Sequence, residues 1–90
     1  MKRLTAIVYG HVQGVYFRDY TEQEATRLRV TGWVANQSDG TVKVVAEGAD
    51  AALNQLVEWL HTGSPLARVD WVDVAWSAAT NEFTRFRIRR

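Results

Sequence analysis

Cysteine is absent from this 90-residue chain. That excludes disulfides, thiolate catalysis and cysteine–zinc sites, and it fits a reducing compartment. Proline occurs once, at Pro65, and no low-complexity segment, linker or solenoid-length repeat interrupts the chain. Charge of one sign is also lacking. Eleven Lys and Arg face ten Asp and Glu, a net charge of +1, too little for a general nucleic-acid or membrane binder. The apolar run near the start, Leu4 to Tyr9, is interrupted by Thr5 and is too short for a signal region or a membrane span. No His/Asp/Glu cluster has metal-ligand spacing, and His11 and His61 stand apart from each other and from carboxylate pairs. The expectation is one cytoplasmic domain over residues 1–90, a monomer, with no metal and no cofactor. At 47% apolar and 23% charged residues the composition is globular.

What is present is patterned. Leu4, Ala6 and Val8 alternate with Thr5, Ile7 and Tyr9, which predicts a strand. From Phe17 to about Val30, the positions Phe17, Thr21, Ala25 and Leu28 recur at helical spacing, with acids early and arginines late, and Gly32 lies just past the expected end. A strand over 32–37, the turn Ser38-Asp39-Gly40 and a strand over 41–47 form an expected hairpin. Leu53, Leu56, Val57 and Leu60 predict an amphipathic helix between Asp50 and Gly63. Val69 to Trp76 is rich in β-formers, and Phe86 and Ile88 oppose Arg85, Arg87 and Arg89 on a last short strand. The order β-α-β-β-α-β, with that extra strand, predicts an α+β ferredoxin-like sandwich: an antiparallel sheet with two helices on one face.

Between the first strand and the first helix lies Gly10-His11-Val12-Gln13-Gly14-Val15-Tyr16-Phe17-Arg18. A glycine-bearing loop that leads into a helix can aim successive N–H groups at one oxygen-rich guest. The closing arginine adds a planar fork suited to phosphate or carboxylate. Read alone, the glycines fit an ordinary turn, and Asn36 fits a strand end before the Ser38-Asp39-Gly40 turn. A cation in a first helical turn, as at Arg18, is mildly unfavourable unless an anion sits there.

The pattern Gly10-x-Val12-Gln13-Gly14-Val15-x-Phe17-Arg18 resembles the first signature of the acylphosphatase family. Gly32-Trp33-Val34-Ala35-Asn36-x-x-x-Gly40-x-Val42-x-x-x-x-x-Gly48 resembles the second. The resemblance implies metal-free hydrolysis of the carboxyl–phosphate bond of an acyl phosphate, giving a carboxylate and inorganic phosphate. It places phosphoryl binding on Arg18 and orientation of the attacking water on Asn36. It makes His11, Val12, Gln13, Gly14, Val15, Tyr16, Phe17 and Arg18 the phosphate-binding loop.

Competing readings differ in class. His11 occupies an unspecified position of the signature and is expected to be a loop side chain near the site. Tyr16 is expected to border the pocket and Phe17 to anchor the loop. Trp33 and Trp59 read as packing residues, Trp71 and Trp76 as opposite faces of one strand, and the C-terminal arginines as a solvated face. A non-catalytic anion- or RNA-binding ferredoxin-like module is the main alternative. Near-neutral charge and the absence of an RNP-type aromatic pattern weigh against it. A carbamoyl-phosphate-handling domain of a larger maturation protein is disfavoured by the absence of zinc-type Cys motifs and of extensions.

Overall fold

Alternation in β1 (Lys2–His11) sends Leu4, Ala6 and Val8 to one side of the sheet, where all three are fully buried. The computed structural model describes residues 1–90. β1 is followed by α1 (Phe17–Arg27), β2 (Thr31–Asn36), β3 (Val42–Gly48), α2 (Asp50–Thr62), β4 (Arg68–Ala78) and β5 (Phe86–Arg89). The sheet order is β4-β1-β3-β2-β5. β1–β4, β1–β3 and β2–β3 pair antiparallel, whereas β5 runs parallel to β2. The four main strands follow the expected split-βαβ arrangement, and the extra strand makes the sheet mixed rather than purely antiparallel.

Both helices cover the same face. Phe17, Thr21 and Ala25 of α1 and Leu53, Leu56 and Leu60 of α2 are buried, and the apolar members join Leu4, Ala6, Val8, Val34, Val42 and Val44 in one core. Each leucine so buried contributes about 1.5–3 kcal/mol. Phe17 and Trp59 meet with ring centroids 5.7 Å apart and tie the two helices together. The opposite face of the sheet carries no helix.

Two boundaries differ from the sequence expectation for a physical reason. α1 stops at Arg27 rather than running to Val30, because Arg29 turns left-handed at φ 60. The N–H groups of Leu28, Arg29 and Val30 then close on Glu24, Thr26 and Ala25 carbonyls. Gly32 is therefore not a helix stop. It lies within β2, where an added Cβ would sit 1.9 Å from the Val45 carbonyl oxygen. Gly32 allows the two strands to approach.

The connection from β4 to β5, residues 79–85, crosses from one sheet edge to the other. Its anchor is Glu47, only 3% exposed. Its carboxylate accepts from the Thr80 and Asn81 amides at 2.9 and 3.0 Å and from Arg3 Nε at 2.8 Å. Burial opposes ionisation of Glu47, but these donors prevail and hold its carboxyl below the usual range.

Candidate active site

The loop between β1 and α1 leaves the sheet at the end opposite that crossing. Alternate side chains hold it down. Val12, Val15 and Phe17 are buried, and Ser64 Oγ donates to the Val15 carbonyl at 2.8 Å. With its apolar side chains inward, the loop turns its backbone outward. None of the N–H groups of Val12 to Tyr16 is bonded within the chain. The first-turn amides of α1 add further donors, because a helix start has no internal partners for them. Gly14 sits at φ 75, a conformation that suits glycine, and a Cβ there would meet open space. Tyr16 adopts φ 63, ψ 25 immediately before α1 and is itself left-handed. A non-glycine residue held there carries strain of about 1–2 kcal/mol.

Asn36 ends β2 on the same side of the sheet as Val34, opposite Val42 of β3. It faces the helix layer and the loop. A concavity of about 330 Å³ joins the two, lined by Val12, Gly14 and Tyr16 from the loop, Phe17, Arg18 and Asp19 from α1, and Asn36 from β2. Arg18 is half-buried and takes part in none of the ion pairs of the molecule. The Oδ1 of Asn36 is buried without a hydrogen-bond partner. An orphan acceptor of this kind costs about 1–3 kcal/mol unless something fills it. Asn36 itself lines the concavity.

The residues singled out in the sequence do not all lie in the pocket. His11 is exposed and lies in the β1–β4 ladder opposite Arg68. Val15 points into the core. Gln13 reaches across to the hairpin instead: its Nε2 donates to the Gln37 carbonyl at 2.7 Å and to the Thr41 carbonyl at 2.9 Å. That bridge was not foreseen, although Gln13 is part of the motif, because its partners are backbone atoms far along the chain. The hairpin end is itself stiff. The Thr41 hydroxyl and amide donate to Asp39 Oδ1 at 2.6 and 3.0 Å. The same two donors, hydroxyl first, hold the Asp39 carboxyl below its usual range. Ser64, just before Pro65, was missed for lack of any local signal.

Chemically, the pocket joins a guanidinium, a row of unpaired amides and an amide carbonyl. The donor set suits a small oxyanion rather than a cation. Fold and pocket thus define a small α+β anion-handling protein. Comparisons with known proteins narrow this. The family model described as Acylphosphatase matches residues 4–88. An acylphosphatase of Salinibacter ruber is 53% identical, over 99% of this chain and 94% of the relative. One of Methylococcus capsulatus is 46% identical, over 100% and 98%. The crystal structure of acylphosphatase from Bacillus subtilis superposes with a TM-score of 0.97 at 39% identity, covering 100% of both chains. The chain belongs to the acylphosphatase family, and it is a hydrolase of that kind.

Proposed function

We propose that residues 1–90 act as one domain that hydrolyses acyl phosphates without a metal, with Arg18 and the Val12–Tyr16 amides holding the phosphoryl group and Asn36 orienting the attacking water. The observation that carries this is the juxtaposition of a half-buried unpaired Arg18, a loop of unbonded amides and an unpartnered Asn36 Oδ1 around one concavity. A departing carboxylate is a weak base, so the leaving group needs no strong acid. What remains is to hold the phosphoryl group, stabilise its equatorial oxygens and place water in line. Preorganised amides and a guanidinium supply that stabilisation with little rearrangement. Water oxygen bonds to phosphorus as the phosphorus–carboxylate bond breaks. The water proton passes to a phosphoryl oxygen, since Asn36 is an acceptor and donor but a poor base. The products are a carboxylate and inorganic phosphate. No macromolecular or membrane partner is needed, so a cytoplasmic monomer suffices.

The test is turnover of acetyl or benzoyl phosphate by the purified protein in excess chelator. Full activity is expected. No turnover sinks the enzyme reading, and loss on chelation sinks the metal-free step. A steep enzyme-borne acidic limb in the pH–rate profile would show that a side chain, not the substrate, takes the proton.

A further inference from the structure

Ser64 belongs to neither motif, yet its hydroxyl reaches the loop between β1 and α1. It lies 49 residues on from Val15, in the corner between α2 and β4, and is only 2% exposed. Its Oγ donates to the Val15 carbonyl at 2.8 Å, the one hydrogen bond which that carbonyl receives. The corner that carries it is fixed. Gly63 ends α2 at φ 73, and an added Cβ there would collide with the Phe17 ring. The Ser64 carbonyl accepts from the Ala67 amide at 3.0 Å, and Pro65 restricts the backbone that follows.

The bond acts on the Val15–Tyr16 peptide. That peptide is trans, as is every peptide of the chain, so its carbonyl and its N–H point in opposite directions. With the Val15 carbonyl turned toward the buried Ser64, the Tyr16 N–H is turned away from the core. It bonds to nothing within the chain, and Tyr16 lines the concavity shared with Arg18 and Asn36. Rotating this one peptide by half a turn changes chiefly ψ of Val15 and φ of Tyr16. It would carry Tyr16 from φ 63 into the negative region that residues with a Cβ prefer. It would also aim the Val15 carbonyl oxygen at the anion in place of an N–H. Local strain thus favours the arrangement that repels phosphate, and the Ser64 hydrogen bond opposes it.

We propose that Ser64 is a positioning residue of the hydrolase: by holding the Val15 carbonyl in the core, it keeps the Tyr16 N–H aimed at the phosphoryl group against the backbone strain of Tyr16. This rests on the reading that the loop amides bind the phosphoryl group. Arg18, the loop and Asn36 all belong to the β1–α1–β2 half of the fold. Ser64 is what the β3–α2–β4 half contributes to their geometry.

The experiment follows the backbone amides of the full chain by NMR through a titration with inorganic phosphate, beside benzoyl phosphate kinetics. The proteins are wild type, Ser64→Ala, Ser64→Cys, Tyr16→Gly and Ser64→Ala/Tyr16→Gly. In the wild type the Tyr16 amide and its loop neighbours should shift as phosphate binds. In Ser64→Ala the Tyr16 shift should be lost while the neighbouring loop amides keep theirs. There kcat/KM should fall at least about 10-fold, toward the roughly 100–1,000-fold that loss of one preorganised donor costs, and the phosphate inhibition constant should rise. Ser64→Cys keeps the shape with a weaker donor and should fall between the two. Left-handed strain at a residue with a Cβ amounts to about 5–30-fold in equilibrium, and glycine is free of it. Ser64→Ala should therefore cost about fivefold less, or better, in the Tyr16→Gly background than in the wild type. A hydroxyl that only stabilises the fold would lower the melting temperature without moving the Tyr16 shift. The proposal is overturned by an unchanged Tyr16 shift in Ser64→Ala, by unchanged kcat/KM, or by the same loss in both backgrounds. If Ser64→Ala does not fold, Ser64→Cys is judged by its Tyr16 shift and kcat/KM in the same way. A wild type that hydrolyses benzoyl phosphate while no loop amide responds to phosphate would overturn the amide cradle itself, and the role of Ser64 with it.

Discussion

Gln13 and Gln37 are joined by a hydrogen bond of 2.7 Å from a side-chain amide to a backbone carbonyl, across 24 residues of sequence. The same nitrogen serves Thr41. Through this contact the loop that carries the amides is locked to the hairpin that carries Asn36. Gln13→Ala should cost about 0.5–1.5 kcal/mol of stability per hydrogen bond lost, since the Gln37 and Thr41 carbonyls each keep a backbone donor. It should also lower kcat/KM by about 10–100-fold, because small displacements of positioning groups are costly. The inhibition constant of inorganic phosphate and the rate should worsen together. A drop in melting temperature with unchanged kinetics would make Gln13 structural only.

Arg18→Ala should lower kcat/KM by about 100–1,000-fold, the loss of about 2.7–4 kcal/mol seen when a preorganised donor is removed. Arg18→Lys should recover only part of it, since an ammonium lacks the planar fork. Rates that differ from wild type by less than fivefold in the alanine variant would remove Arg18 from the mechanism.

Asn36→Ala should leave phosphate binding near wild type while kcat falls by two or more decades, because the lost acceptor acts on water rather than on the anion. The variant should gain stability or lose little, as an unpartnered buried oxygen disappears with the side chain. Phosphate affinity falling in step with kcat would assign Asn36 to the anion instead.

Glu47 contributes to acid stability. Its carboxyl is held below the usual range by the Thr80, Arg3 and Asn81 donors despite burial. Such a group contributes stability that is present above its unfolded-state value, about 4.3, and is lost as pH falls through its lower folded value. Glu47→Gln should therefore cost about 3 kcal/mol at pH 7 and flatten the loss of stability below pH 4. Urea unfolding at a series of pH values measures both. Parallel stability curves for variant and wild type would show that Glu47 does not titrate with unfolding.

Gly32→Ala should destabilise by at least about 2 kcal/mol, because φ is 138 and the new methyl would meet the Val45 carbonyl. Thermal melting of this variant beside Gly14→Ala separates close approach from backbone freedom. Gly14 has open space around it, so its alanine variant should be the milder of the two in stability.

Local pattern alone determined the elements, the helix-facing residues and the two motifs. Alternation at Leu4, Ala6 and Val8 and the spacing of Leu53, Leu56 and Leu60 report burial directly, because the core is the strongest term acting on them. The roles expected of Arg18 and Asn36 came from the resemblance of their motifs to a known family, because local pattern alone makes Asn36 a strand end before a turn and the glycines an ordinary turn. Tertiary structure alone decided what depends on partners distant in sequence. Glu47 reads as a solvent-facing strand residue until residues 79–85 cross above it. Trp33 reads as a packing residue, yet it lies on the open face between two cations. Gln13 reads as one more loop residue until the hairpin arrives. β5 reads as an appended strand, and only its place beside β2 makes it parallel and lines up its arginines. In each case the partner is a backbone group or a charge brought in by topology, and no local periodicity encodes it.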